Sequence, residues 1–257
     1  MDTGRFKIIH KKTVNSTNTW AKQEEITNVV FLADYQTDGR GRLSRKWESP
    51  KGKNLYFSIK IQINDYNQAI DYNFLTSLAI AEALDKEYKL KTTIKWPNDL
   101  LIDNKKFSGL LSEIDSSKKG LNLVIGIGIN CNFDIKGSNI EKIATSLHYY
   151  LGEIDKRILL NKVLERFYIL NEEYKKMEKN IKLEKILKKW NKYANIEGRS
   201  IYTTILDKKE MVKVIKLNND ASITVERKDG STTKLIAGDI EYVKKNNNKK
   251  LCNNKIQ

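Results

Sequence analysis

Gln36-Thr37-Asp38-Gly39-Arg40-Gly41-Arg42-Leu43-Ser44-Arg45-Lys46-Trp47 packs three arginines, a lysine and two glycines into one polar stretch. An apolar run, Val29 to Ala33, precedes it, and an alternating run, Leu55-Tyr56-Phe57-Ser58-Ile59-Lys60-Ile61, follows. Both runs read as strands, so the basic stretch is a long loop within a sheet. Loops of that length inside a compact domain usually carry function. Glycine lets the backbone come close to a ligand, and arginine supplies forked, permanently charged donors that match phosphate or carboxylate oxygens. A solvated basic loop is the plainer reading, but a Gly-Arg-Gly-Arg core beside Trp47 points to a loop that holds an anion.

Working outward, Phe6 to Lys12 predicts a short strand, and Asn15-Ser16-Thr17 supply N-cap candidates for a helix through Trp20 and Gln23. Phe74, Leu75, Leu78, Ala79, Ala83 and Leu84 recur at helical spacing. Thr92 to Lys95, Leu100 to Ile102 and Ser108 to Ile114 read as strands, with Asp103-Asn104-Lys105 as a hairpin turn between the last two. Leu121 to Ile129 is nearly all apolar and predicts a central buried strand. Two helices, about Asp155 to Lys176 and Ile181 to Tyr193, are expected to cover the sheet. After Gly198 the pattern changes to short strands with turn signals at Asn218-Asn219-Asp220 and Asp229-Gly230. The expected division is therefore 1–197, a small β module over 198–243, and a disordered basic tail over 244–257.

The chain has 257 residues and a formal net charge of +15, from 47 Lys and Arg against 32 Asp and Glu. Such a balance suits polyanions in general, yet the excess is spread along a Lys-, Asn- and Ile-rich chain. It argues only weakly for a nucleic-acid-binding protein. Cys131 and Cys252 lack paired spacing, and His10 and His148 complete no ligand set, so neither a disulfide framework nor a zinc site is supported. With no signal-like or membrane-spanning apolar run, a cytoplasmic setting and no membrane contact are expected.

Two further motifs join the basic loop. Lys95-Trp96-Pro97-Asn98-Asp99 gathers a cation, an aromatic face and a carboxylate around a proline at a strand end. Gly126-Ile127-Gly128-Ile129-Asn130 ends the buried strand with glycines and an amide. Taken alone, small residues packed beneath a helix would explain the second motif equally well.

In order, Ser16-Thr17-Asn18, Gln36 with Gly39-Arg40-Gly41-Arg42 and Trp47, Lys95-Trp96-Pro97-Asn98-Asp99, Lys106 followed by Gly109, and Gly126 to Asn130 closely resemble the biotin protein ligase family over about Phe6 to Val243. The resemblance implies an α+β fold, a mixed-sheet catalytic domain followed by a small SH3-like β-barrel. It implies ATP and biotin as substrates, Mg2+ as the nucleotide's companion, formation of biotinyl-5′-AMP, and transfer to one lysine of a biotin carboxyl carrier domain. Ser16, Thr17, Asn18, Gln36, Gly39 and Gly109 then match biotin contacts. Arg40, Gly41 and Arg42 match the loop that folds over biotin and adenylate, and Lys106 matches the lysine between carboxylate and phosphate. Arg45, Trp47, Lys95, Trp96, Asn98, Asp99 and Asn130 fall to the nucleotide side. Asp99 is the weak candidate for a metal ligand.

Ser44 departs from the family pattern, which usually has glycine there, and Lys213 and Ala221 stand where turn glycines recur. Ala237-Gly238-Asp239 keeps the expected ending. Five residues before Phe6 leave no room for the winged helix of repressor members, so a ligase without a DNA-binding domain is expected. A homodimer through a sheet edge is one assembly left open. A lipoate or octanoate ligase or transferase is the nearest alternative, disfavoured by the Gly-Arg-Gly-Arg loop, Lys-Trp-Pro-Asn-Asp and the C-terminal module.

Overall fold

Strand β1 (Lys7–Val14) runs parallel to β2 (Val29–Gln36), and parallel neighbours need a crossover, which helix α1 (Thr17–Gln23) supplies. The computed structural model describes residues 6–117, 120–178 and 181–243, and the expected tail over 244–257 lies outside them. The remaining pairings are antiparallel. Strands β3 (Leu55–Ile63), β4 (Thr93–Lys95), β5 (Asp99–Ile102), β6 (Lys105–Ser117) and β7 (Gly120–Ile129) complete a seven-stranded sheet in the order β1-β2-β3-β7-β6-β5-β4. The β5–β6 turn is the expected one: Asp103 and Asn104 have φ of 50° and 61°, the left-handed pair that a two-residue hairpin of type I′ requires.

The two faces of this sheet differ. On one, Phe57, Ile59, Ile125, Ile127 and Ile129 join Leu75 and Leu78 of α2 (Gln68–Tyr88) in the main core. Helices α4 (Lys156–Lys176) and α5 (Lys182–Ala194) extend that core from behind; Phe74 and Trp190 lie 4.9 Å apart, and Trp190 Nε1 donates to Ser77 Oγ at 3.0 Å. On the other face, Val124 and Phe31 pack with Trp20 and Ala21 of α1 in a small separate cluster. The next β7 positions on that face are Gly126 and Gly128, which carry no side chain, so the covering stops and a floor is left open.

Between β7 and α4 lies a short helix, α3 (His148–Leu151), which the sequence reading did not anticipate. Strands β8 (Ser200–Ile205), β9 (Lys208–Leu217), β10 (Ile223–Glu226), β11 (Thr232–Leu235) and β12 (Ile240–Tyr242) form a second, antiparallel sheet of SH3-like type in the order β11-β10-β9-β8-β12. Ala221 has φ of 67°, a conformation glycine adopts freely, whereas Lys213 lies inside β9 opposite Ser200 and Glu226 and occupies no turn. Trp96 corrects an expectation. It is 1% exposed and donates through Nε1 to the Ala221 carbonyl at 2.9 Å, so it joins the two sheets and cannot line a nucleotide site.

Candidate functional site

A groove opens over the glycine floor, and its shape follows from one extra residue. Along β6 the register with β5 shifts so that Leu101 opposes Lys106 while Leu100 opposes Ser108, leaving Phe107 as a bulge. In a regular strand Lys106 and Gly109, three apart, would face opposite sides. The bulge restores them to one side: Phe107 turns into the core at 0% exposure, and a Cβ built on Gly109 would lie 2.7 Å from Lys106 Cε. Segment 143–145 clamps the lysine's backbone, with Lys106 N–H donating to Ile143 O and Thr145 N–H donating to Lys106 O, both at 2.9 Å.

Three glycines make room for three side chains. A Cβ on Gly126 would meet Asn18 Oδ1 at 2.3 Å, one on Gly128 would meet Trp47 Cε2 at 2.4 Å, and one on Gly109 would meet Lys106. Trp47 thus lies on the floor with Lys106 Nζ 5.2 Å from its ring centre, and its buried Nε1 has no hydrogen-bond partner.

At the α1 end, Ser16, Thr17, Asn18 and Gln36 are all buried and line the groove. Gln36 Oε1 accepts from Thr17 N–H at 2.9 Å, and Gln36 Nε2 donates to Ser49 Oγ at 3.1 Å. Asn18 Nδ2 donates to Leu111 O at 3.0 Å and to Glu113 Oε2 at 2.7 Å, and Asn18 Oδ1 accepts from Ser58 Oγ at 2.6 Å. Ser16 is the N-cap of α1 yet makes no side-chain capping bond, so its hydroxyl is not used to finish the helix.

The basic loop is a small hairpin. Arg40 pairs with Lys46, Trp47 N–H donates to Gly39 O at 2.8 Å, and Gly41 N–H donates to Arg45 O at 2.7 Å. Its tip is Leu43-Ser44, with φ of 53° and 57°. Its arginines reach in different directions. Arg40 donates to Thr19 Oγ1 at 2.9 Å and lies 3.5 Å from Glu113, Arg42 donates to Asn98 Oδ1 at 2.8 Å and to Gly238 O at 3.4 Å, and Arg45 pairs with Asp239 of the second sheet. Gly39 does not line the groove; its open side is filled by Ser49 Oγ and Gln36 Nε2, so it backs the pocket. A left-handed conformation costs a β-branched residue about 1–2 kcal/mol. Ser44→Val is therefore expected to speed trypsin cleavage at Arg42 and Arg45 about fivefold through a larger open population, whereas Ser44→Gly should not; digestion rates check this.

At the other end, Asp99 lies between Lys106 (2.5 Å) and Lys95 (3.2 Å). Burial alone would raise its carboxyl, but the ammonium groups of Lys106 and then Lys95 outweigh that and hold it below the ordinary carboxylate range. Both oxygens are taken by cations, so Asp99 does not fit the metal role expected of it. Among the described residues no group of three or more His, Cys, Asp or Glu side chains could hold a metal ion. Asn130 lines the groove, but its Oδ1 accepts from Asn54 at 3.1 Å and its Nδ2 donates to Thr145 O at 3.1 Å. Asn98 Nδ2 donates to Leu110 O at 2.7 Å.

Since the folded-state pKa of Asp99 is depressed, its stabilisation is full above its unfolded pKa of about 3.9 and is lost as pH falls through the lower folded value. Asp99→Asn loses charge-assisted bonds of about 1.5–3 kcal/mol. The melting temperature at neutral pH should drop by about 5 °C, and its acid decline below pH ~4 should be shallower than in the parent, as melting curves across pH would reveal.

Ser58, Glu113 and Arg45–Asp239 belong to this site or its frame and escaped the sequence reading. Only for Ser58 was there a signal: a small hydroxyl residue in an otherwise bulky strand.

Residues 6–130 match the biotin/lipoate A/B protein ligase family. The chain is 29% identical over 243 residues to the bifunctional ligase/repressor BirA of Bacillus spizizenii, spanning 91% of this chain and 73% of that protein. It is 30% identical over 116 residues to the biotin–[acetyl-CoA-carboxylase] ligase of Mycobacterium tuberculosis, covering 43% of this chain and 42% of that one. Its structure resembles the Aquifex aeolicus biotin protein ligase in complex with biotin and ATP, with a TM-score of 0.76, 28% identity, and coverage of 93% of this chain and 99% of that one. By the domain that residues 6–130 form, this chain belongs to the biotin/lipoate A/B protein ligase family.

Proposed function

We infer that the chain is an ATP-dependent biotin–protein ligase. The biotin carboxylate attacks the α-phosphorus of ATP, pyrophosphate leaves, and biotinyl-5′-AMP forms. The amine of one lysine on a biotin carboxyl carrier domain of a carboxylase then attacks the acyl carbon, AMP departs, and the nitrogen loses a proton.

The observation that carries this reading is a groove with two chemically opposite ends on one glycine floor. Ser16, Thr17, Asn18 and Gln36 form a buried pocket of hydrogen-bonding groups, while Lys106, Lys95 and Arg42 line the same groove with fixed positive charge. A cyclic urea presents N–H donors and a carbonyl to the first end. A valeryl chain lies across the floor, and carboxylate and phosphate meet the second end, where Lys106 offsets the approach of two anions and the charge that builds during adenylation. Arg42, Arg45, Trp47, Lys95, Asn98 and Asn130 frame the nucleotide side, and the hairpin over residues 39–47 excludes water from the mixed anhydride. Mg2+ arrives with ATP as part of the substrate. No described helix is long and apolar enough to cross a membrane.

The sister activity on lipoate is disfavoured by the same pocket. A dithiolane ring offers no hydrogen bonds, so buried polar groups would be left unpaired, a mismatch that polar sites reject strongly. Pyrophosphate release from MgATP with biotin, lipoate and octanoate in parallel, followed by transfer to a carrier domain, tests the assignment. Release with biotin alone and a biotinylated carrier lysine is expected; activity with lipoate alone would overturn it.

A further inference from the structure

Glu113, on β6, lies at the back of the head-group pocket where three elements meet. Its carboxylate accepts from Asn18 Nδ2 and from Lys22 Nζ, each at 2.7 Å, and faces Arg40 at 3.5 Å. Burial would raise its carboxyl, but Lys22, Asn18 and Arg40 together hold it below the usual range, so it is ionised wherever the protein is folded at neutral pH. Its side chain is 23% exposed and those of Lys22 and Arg40 are 32% and 37% exposed. Ion pairs that open to solvent contribute only about 0–1 kcal/mol, which is little reason in itself for a carboxylate behind a polar pocket.

An ionised carboxylate can only accept. It therefore dictates that Asn18 turns its NH2 toward β6 and its Oδ1 toward Ser58. Ser58 has one proton and two close neighbours, Asn18 Oδ1 at 2.6 Å and Thr17 Oγ1 at 2.8 Å. The amide oxygen donates nothing, so the Ser58 proton must go to Asn18, and the Thr17 hydroxyl must then donate to Ser58. Thr17 is left presenting a lone pair and no proton. We propose that Glu113 is a positioning residue that sets the hydrogen-bond polarity of the pocket through Asn18, Ser58 and Thr17, so that the pocket accepts from the N–H of a cyclic urea. The inference rests on the biotin ligase reading and extends it to a residue behind the pocket.

Without the carboxylate, the Asn18 amide can turn over, exchange donor for acceptor and reverse the chain. Glu113→Ala is expected to raise the KM for biotin about tenfold, the equivalent of one hydrogen bond, while the KM for ATP and kcat at saturating biotin stay within about twofold. Glu113→Gln keeps an acceptor oxygen for Asn18 but loses the charge, and should restore most of the biotin KM. A merely structural role would produce neither the split between substrates nor the rescue. If Glu113→Ala does not fold, Ser58→Ala breaks the next link and carries the same expectation. An unchanged biotin KM, equal rises for both substrates, or Glu113→Gln as impaired as Glu113→Ala would overturn the proposal. Parent protein that releases pyrophosphate with no biotin dependence would instead overturn the ligase reading.

Discussion

Lys106→Ala should lower biotin-dependent pyrophosphate release by about 10²–10³-fold, the loss typical of removing one preorganised charge from a site where charge develops. The lysine is placed by three features that the substitution leaves standing: the Phe107 bulge, the 143–145 clamp on its backbone, and the Gly109 floor. None depends on the ammonium group. Its side chain is 32% exposed, so little apolar contact is lost, and Asp99 keeps Lys95 as a partner at 3.2 Å. The fold should survive, which circular dichroism and a melting curve would establish alongside the assay. Lys106→Arg should recover only part of the rate, because a planar guanidinium does not replace a compact ammonium above a glycine floor. Near-parental adenylation by Lys106→Ala would remove the lysine from the mechanism.

Gly126→Ala is expected to weaken biotin binding by about 5–150-fold, with ATP binding unaffected. The added methyl would lie 2.3 Å from Asn18 Oδ1 and 2.8 Å from Asn18 Cγ. A free side chain would swing away at small cost, but Asn18 is 2% exposed and held at Leu111, Glu113 and Ser58. Overpacking of this kind costs about 1–3 kcal/mol, which converts to the stated range. Since the clash falls on a ligand-facing amide, the cost should appear in the pocket more than in global stability. Calorimetric titration with biotin and with ATP separates the two, and an alanine variant that binds biotin as the parent does would show that Asn18 yields freely.

Much of the fold was legible because its signals are local. Val29 to Ala33 and Leu121 to Ile129 read as strands from their apolar runs, and Asp103-Asn104 read as a turn because those residues tolerate left-handed backbone. The helices were read from their periodicity, and their ends fell within a few residues of α4 and α5. Helix α3 has four residues and no full period, so no pattern announced it. The two tryptophans of the conserved-looking motifs show the limit most clearly. Both stand in polar, proline- or glycine-bearing stretches, yet Trp47 lies on the groove floor while Trp96 is sealed against Ala221 of the second sheet.

By itself, the sequence determined the alternation of strands and helices, the change to a second β module after Gly198, and the residue types available for an anion and a polar head group. Tertiary structure alone decided which of them meet. Asn18 and Glu113 are 95 residues apart in the chain, and Arg45 and Asp239 are 194 apart. The side to which Lys106 points depends on a one-residue bulge set by pairing with β5. Periodicity records which side of its own strand a residue occupies, but register between strands comes from the summed packing of the sheet, and one inserted residue reverses it.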